Sequence, residues 1–488
     1  MLTNSVKIMK NKKLVKLIAQ AAYLNPFSEE RLKIDKKIIG DNKNYSYERL
    51  VKKVVAITEK TISNLKNKNI NKFSKEEKQD VIYLFLFDVY HKYREKFDEL
   101  IVRQIAAGDE SLKVSFANEA ISLLVKYGFT EEVAVRYFSI FYQMRRAFYF
   151  IFHTLPGKSE CMRKFHCDLW NNIFTHDIRL YEKILCAKLE DFSTLLLGET
   201  GTGKGTAAAA IGRSGFIPFN TRAGKFTESF MKTFIEINLS QFPETLIESE
   251  LFGHKKGAFT GAVESHNGLF SLSSSYGSVF LDEIGDVSIP IQIKLLKVLQ
   301  DRCFSPVGSH KKLRFDGRVI AATNKPIDKL RQEGKFRDDF FYRLCSDVIT
   351  VPSLRQRIAE NSLELTLLLK CTIKKIAGTE NREIYDLVYN TIIKQVGKKY
   401  MWPGNVRELE QCVRRILLSK EYCGDKKVAS RDLAGKIVGF INTGEYDAQG
   451  LLADYCRLLY KRLGSYQEVA RKIKLDRRTV KRYVELGG

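Results

Sequence analysis

The chain has 488 residues, with 81 Lys and Arg against 57 Asp and Glu, a formal net charge of +24. Its length suits about three or four domains, and its 44% apolar residues are enough to bury cores, which excludes wholesale disorder. Nine Cys without a CxxC pair exclude a disulfide scaffold or a zinc ribbon and suit the reducing cytoplasm.

The N-terminal stretch is basic and is read as mature protein, because Lys16 interrupts its apolar run. Residues 1–75 hold 18 basic and 6 acidic residues, a net of +12. Lys there is dispersed among polar neighbours, the pattern of a solvated face. Segments such as Asp80–Phe97 and Glu131–Phe152 repeat aromatic and aliphatic residues at three- and four-residue spacing. Residues 1–176 therefore read as an all-α domain. The aromatic run Tyr137–Phe152 is broken by Gln143, Arg145 and Arg146, so a membrane span and a membrane partner are not expected. Cys161, His166 and Cys167 lie close together but lack a second ligand pair, so no metal is expected on them.

From Ser193 the texture changes. Thr194–Leu197, Val279–Leu281 and Val319–Ala322 are short apolar runs separated by helical stretches, as in a buried parallel sheet. Residues 177–355 read as an α/β subdomain and 356–437 as a helical one. Residues 438–450 read as a linker and 451–488 as a small helical module.

Gly198-Glu199-Thr200-Gly201-Thr202-Gly203-Lys204 follows the first strand and precedes a helix. Glycines let backbone N–H groups turn toward phosphate oxygens, and Lys204 can reach the terminal phosphates. The hydroxyl residue expected after the Lys is replaced by Gly205, with Thr206 next. The metal then needs another anchor. Asp282 and Glu283 end an apolar strand downstream: Asp282 suits Mg²⁺ held through water, and Glu283 suits a general base. Asn324 tips the third strand, where it can touch the γ-phosphate or the attacking water. Arg337 and Arg343 can be lent across a subunit boundary, and Arg407 opens a later helix that could close over a nucleotide.

These residues, with Glu248–His254 and the intact hexapeptide Gly257-Ala258-Phe259-Thr260-Gly261-Ala262, resemble the AAA+ domain of bacterial enhancer-binding proteins. Those proteins activate sigma-54 RNA polymerase. The resemblance runs from about Asp177 to Leu418. It implies an AAA+ P-loop fold with a helical lid, ATP and Mg²⁺ as ligands, and ATP hydrolysis. It implies that Phe259 and Thr260 form the tip that contacts sigma-54, and that Gly257 and Gly261 let that loop move. Asn238 matches the residue that pairs with the catalytic Glu. Asn324 and Arg407 match the two sensors, and Arg337 and Arg343 match trans-acting fingers in a ring, typically a hexamer. The sequence departs from the family at Gly205, where Glu is usual, and at Arg222–Lys232, which reads as a polar insertion.

The last 38 residues hold 10 basic and 4 acidic residues. Ser465 is placed to cap a first helix, and Arg477–Tyr483 reads as a recognition helix with Arg477, Arg478, Thr479, Lys481 and Arg482 toward double-stranded DNA. Val469, Ala470, Ile473, Val480 and Tyr483 are its expected core. The family carries a helix-turn-helix at this place. The N-terminal domain resembles none of the usual family sensors; it is expected to be regulatory, with an unknown ligand.

Overall fold

The computed structural model describes residues 2–43, 45–186, 188, 191–424, 437 and 447–485. Most of the expected 438–450 linker lies outside the described residues. The chain divides into two compact units, Met1–Cys371 with Gly404–Arg407, and Thr372–Pro403 with Glu408–Gly488. Among the described residues, no helix is long and apolar enough to cross a membrane.

The first unit begins with eight main helices: α1 Leu2–Tyr23, α2 Glu29–Ile39, α3 Tyr47–Ser63, α4 Lys75–Lys92, α5 Arg94–Ala107, α6 Ala117–Lys126, α7 Glu131–Thr154 and α8 Glu160–Phe174. Local chemistry sets their ends. Ser28, Ser74 and Thr130 accept N-cap hydrogen bonds ahead of α2, α4 and α7, and acidic residues fill the first turns of all three. Helix α7 is apolar nearly all round and is buried on several sides.

Five parallel strands follow: β1 Thr194–Leu197, β2 Phe234–Asn238, β3 Ser278–Asp282, β4 Arg318–Thr323 and β5 Asp347–Thr350. Their order in the sheet is β2-β3-β4-β1-β5. This is the AAA+ α/β fold class expected from the runs at 194, 279 and 319. Alternate side chains face opposite ways, as a pleated strand requires. Leu195, Val279, Leu281, Val319 and Ala321 pack in one core with the helix Ile289–Asp301. Leu196, Phe280, Ile320 and Ala322 join the other, which runs without a break into the N-terminal helices.

That continuity has a specific cause. The stretch read as a polar insertion, Arg222–Lys232, holds the turn and second strand of a hairpin in which Phe219–Asn220 pairs with Lys225–Phe226. Phe219, Phe226 and Phe230 are buried. Phe226 stacks on Tyr142 with centroids 4.1 Å apart, and Phe219 meets Phe138 edge-on at 5.0 Å. The backbone joins as well: Val114 N donates to Gly224 O at 2.9 Å, and Ser111 Oγ donates to Phe226 O at 2.7 Å. Arg222 sits at the turn, while Phe226, Phe230 and the buried Ser229, which donates to Gly108 O at 2.6 Å, hold the helical domain to the ATPase core.

The second unit contains the helices Arg382–Gln395, Ala448–Leu463, Tyr466–Ile473 and Arg477–Glu485. Leu459, Val469, Ala470 and Val480 form the small core of its last three helices. Tyr483 is only half-buried and stands outside that core, with the Arg482 guanidinium 5.5 Å from its ring centroid. Leu463, Tyr466, Leu475 and Val484 supply the packing instead.

Candidate functional site

The loop Gly198–Gly203 joins β1 to the helix Lys204–Gly212. Gly201 and Gly203 have φ of 80° and 104°, the left-handed region that glycine adopts without strain. A Cβ on Gly201 would run into the Gly404 carbonyl oxygen. That close approach is fixed by two further bonds: Val406 N and Arg407 N donate to Gly201 O at 3.0 and 3.3 Å. Asn405 Nδ2 donates to Thr200 O and to the Glu199 carboxylate, both at 3.1 Å. Glu199 also pairs with Arg355. Gly205 leaves room: a Cβ there would meet only Phe280 Cε1, at 3.9 Å.

Lys204 is 7% exposed, and its ammonium donates to the Gly198 and Glu199 carbonyls at 2.9 and 3.3 Å. Burial pulls its pKa down, while the charges of Glu283 and Asp282 oppose that shift. Burial raises the pKa of Asp282, against the Glu283 N–H, Lys204 and Arg407. Glu283 is raised first by burial and then by the Asp282 charge, and Lys204 opposes. Glu283 has φ 56°, a strained value for a residue with a Cβ, and its buried Oε2 has no hydrogen-bond partner. Two adjoining carboxylates, one oxygen unsatisfied, stand near a lysine that bonds only carbonyls. This donor set suits a divalent cation on a polyphosphate.

Strand register sets Asn238 beside Asp282. The Asn238 side chain, however, accepts from Ser240 N at 3.0 Å and Ser240 Oγ at 2.7 Å. It is engaged as a local cap, and the expected pairing with Glu283 is not formed. Asn324 Nδ2 donates to Thr200 Oγ1 at 2.8 Å, which brings the third strand tip to the P-loop. Arg337 forks onto Asp339, with Nη2–Oδ2 at 2.6 Å, and Arg343 donates twice to the Leu299 carbonyl, at 2.9 and 2.8 Å. Thr202 and Lys204 are buried, Thr206 and Arg407 exposed.

Gly257–Ala262 form a tight turn with an exposed tip and a buried Ala262, closed by Gly257 N to Ala262 O at 2.9 Å and Ala262 N to Phe259 O at 3.0 Å. Gly257 and Gly261 have φ of 78° and 100°. Phe259 is 40% exposed and touches only one ring, edge-on to His254 at 4.9 Å. Sequence reasoning missed the support beneath it. Lys255 N donates to Val307 O at 3.0 Å, and Val307 N to Gly253 O at 2.8 Å. A Cβ on Gly308 would lie 2.8 Å from Ala258 Cβ. The one signal in the sequence is the Pro306-Val307-Gly308 turn itself.

Sequence reasoning also missed residues of the helical domain that hold the P-loop helix. Arg146 is fully buried and donates to the carbonyls of Arg213 and Gly215, at 2.6 and 2.7 Å. Gln143 Nε2 donates to Ser214 O at 2.9 Å. Leu155 Cδ2 lies 3.9 Å from the position of a Cβ on Gly203. Polar residues breaking an aromatic helix were the available signal. His166, weighed as a metal ligand, instead hydrogen-bonds Leu155 O through Nε2 at 2.8 Å.

In the second unit, Arg477, Arg478, Lys481 and Arg482 are exposed on the last helix, with Thr479 half-buried. Asp476 caps that helix, accepting from Arg478 N and Thr479 N at 2.9 Å. Ser465 sits at the N-cap of the preceding helix but makes no capping bond.

Residues 175–350 match the Sigma-54 interaction domain family, and residues 359–443 match the AAA+ ATPase lid domain family. A Nif-specific regulatory protein of Azotobacter vinelandii is 39% identical over 243 residues, 50% of this chain and 43% of that one. Regulatory protein AtoC of Escherichia coli K12 is 37% identical over 254 residues, 51% of this chain and 50% of that one. A signal-transduction and transcriptional-control protein of Clostridium beijerinckii is 37% identical over 269 residues, 55% of this chain and 37% of that one. The chain thus spans half or less of the length of these relatives.

Proposed function

We propose that the chain, whose residues 175–350 match the sigma-54 interaction domain family, is an ATP-driven activator of sigma-54 RNA polymerase. In this reading it binds upstream DNA through its last helix, assembles as a hexameric ring, and couples hydrolysis to remodelling of the closed promoter complex. The observation that carries the reading is the convergence of Lys204, Asp282, Glu283 and Asn324 at one loop, in a core that also presents an exposed Phe259–Thr260 tip.

The residues divide the work as follows. The N–H groups of Gly201–Lys204 and the Lys204 ammonium receive the ATP phosphates. Lys204 then exchanges carbonyl partners for phosphate oxygens. Asp282 would hold Mg²⁺ through water, with Thr206 as the nearest hydroxyl in sequence; the ion supplies charge neutralisation on the phosphates. Glu283 orients the attacking water and takes its proton. Asn324 senses the γ-phosphate from its position on Thr200. Arg407 lies close enough to influence Asp282 and Lys204 and reports lid position. Arg337 and Arg343 leave Asp339 and Leu299 to reach the site of a neighbouring subunit.

Asn238 is the switch between the site and the Gly257–Ala262 loop. In one state it caps Ser240; in the other it turns to Glu283, whose buried Oε2 has no hydrogen-bond partner. Exposed basic residues at 477, 478, 481 and 482 supply phosphate and base contacts. Trans-acting arginines require assembly, so specific ATPase activity should rise with protein concentration. Activity strictly proportional to protein across the assembly range would contradict the ring.

A further inference from the structure

Asn405 is fully buried at the start of the helix Asn405–Ser419, and its side chain holds three groups at once. Its Oδ1 accepts from Leu354 N at 2.8 Å. Its Nδ2 donates to Thr200 O and to Glu199 Oε2, both at 3.1 Å. Its φ is 54°, in the left-handed region that Asn enters more readily than most residues with a Cβ. Two donors and an acceptor on one short side chain require an amide. A carboxylate in its place has no hydrogen to give Thr200 O and faces the carboxylate of Glu199.

Thr200 is gripped from two sides. Asn405 holds its carbonyl, and Asn324 Nδ2 donates to its hydroxyl at 2.8 Å. The Thr200–Gly201 peptide is trans, so its C=O and N–H point opposite ways. Fixing the carbonyl on Asn405 therefore turns the Gly201 N–H to the other side of the loop. The next carbonyl, Gly201 O, is taken by Val406 N and Arg407 N at 3.0 and 3.3 Å, which seats Arg407 on the same loop.

We propose that Asn405 is a positioning residue for ATP binding, acting through the Thr200–Gly201 peptide rather than on the nucleotide itself. It presets the Gly201 N–H for a phosphate oxygen and ties the helix that carries Arg407 to the loop. The proposal rests on the reading of Gly198–Lys204 as the ATP-binding loop. A loop without this support must be ordered by the nucleotide, which costs binding energy; once bound, the phosphates hold it. Loss of Asn405 therefore weakens binding more than it slows the bound complex.

The test measures KM and kcat for ATP in the full chain at one protein concentration, for wild type, Asn405→Asp and Asn405→Gly. Glycine keeps the left-handed backbone without strain and removes all three side-chain bonds. Both substitutions should raise KM by at least about tenfold, the worth of two net hydrogen bonds, and change kcat by less than about threefold. Glu199→Gln should rescue Asn405→Asp, because it supplies an amide donor and leaves Arg355, the present partner of Glu199, to meet the introduced carboxylate. Measured against Glu199→Gln alone, the KM cost of Asn405→Asp should fall to about threefold or less. A general packing defect would show no such rescue. Lys204→Ala separates the two readings: ATP binding as tight as in the wild type contradicts the loop reading. Binding lost in Lys204→Ala, with wild-type KM in both Asn405 variants, overturns the positioning role alone. A fall in kcat at unchanged KM, or a KM cost of Asn405→Asp undiminished by Glu199→Gln, overturns it as well.

Discussion

Arg146, on a helix of the N-terminal domain, donates from Nη1 to the carbonyl of Arg213, the C-cap of the P-loop helix, at 2.6 Å. The last carbonyls of a helix lack intrahelical partners, and a cation at that end meets the negative pole of the helix dipole. Among the described residues Arg146 has no carboxylate partner; burial pushes its pKa down to about 10. Its charge is held by backbone carbonyls of the ATPase core. The P-loop helix therefore has two ends of different origin: its own glycine loop at Gly203 and the helical domain at Arg213.

Replacing Arg146 with Met should cost about 3 kcal/mol of stability, since two charge-assisted bonds are lost and two buried carbonyls are left bare. Arg146→Lys should recover only part, because an ammonium does not span two carbonyls as a planar guanidinium does. ATP affinity should fall by up to roughly tenfold in Arg146→Met. Denaturant midpoints and ATP titration check both, and wild-type values for each would remove the clamp.

Acid should destabilise the first unit through His166. Burial holds its pKa at about 4 against a usual value near 6.5. A depressed histidine pKa means that the unfolded chain binds the proton more readily. Stability is thus full above about pH 6.5 and falls as the pH drops toward 4, by about 3 kcal/mol for this group. His166→Gln should flatten the pH dependence of unfolding over that interval; an unaltered slope would mean that His166 does not carry it.

Glu283→Gln should still bind ATP but lose turnover by at least about 10²-fold, the scale of a general base. Its strained backbone is not changed by the substitution. Near-normal turnover would take Glu283 out of the reaction.

Arg478→Ala combined with Lys481→Ala should weaken DNA binding and reduce the salt slope by about 2, if each contacts one phosphate. Both side chains are exposed, so the fold of the module should be retained. An unchanged slope would place the DNA contacts on another helix.

The strand–loop–helix context of Gly198–Lys204 and the strand end at Asp282 and Glu283 were legible, because phosphate geometry dictates that spacing. The parallel sheet was legible because β3 and β4 are unbroken apolar runs. What was hidden depends on long-range packing. The polarity of Arg222–Lys232 obscured the buried Phe226 and Phe230, whose partners Tyr142 and Phe138 lie far away in the chain. Asn238 was expected to pair with Glu283; the strand register brings it beside Asp282, but a rotamer is not encoded in a motif, and Ser240 two residues on competes for its side chain. Tyr483 fitted the helical spacing of the core, yet Val484 packs there and the Tyr483 ring carries Arg482 instead.

In the proposed mechanism, ATP turnover at Glu283 drives sigma-54 through the Phe259–Thr260 tip. Promoter opening by sigma-54 holoenzyme, measured with the wild-type chain and with Thr260→Ala at matched ATPase rates, tests it most directly. Thr260 is exposed, so its loss should leave hydrolysis intact. ATP-dependent opening is expected with the wild type and none with Thr260→Ala. Equal opening with both proteins, or none with a wild type that hydrolyses ATP, would contradict it.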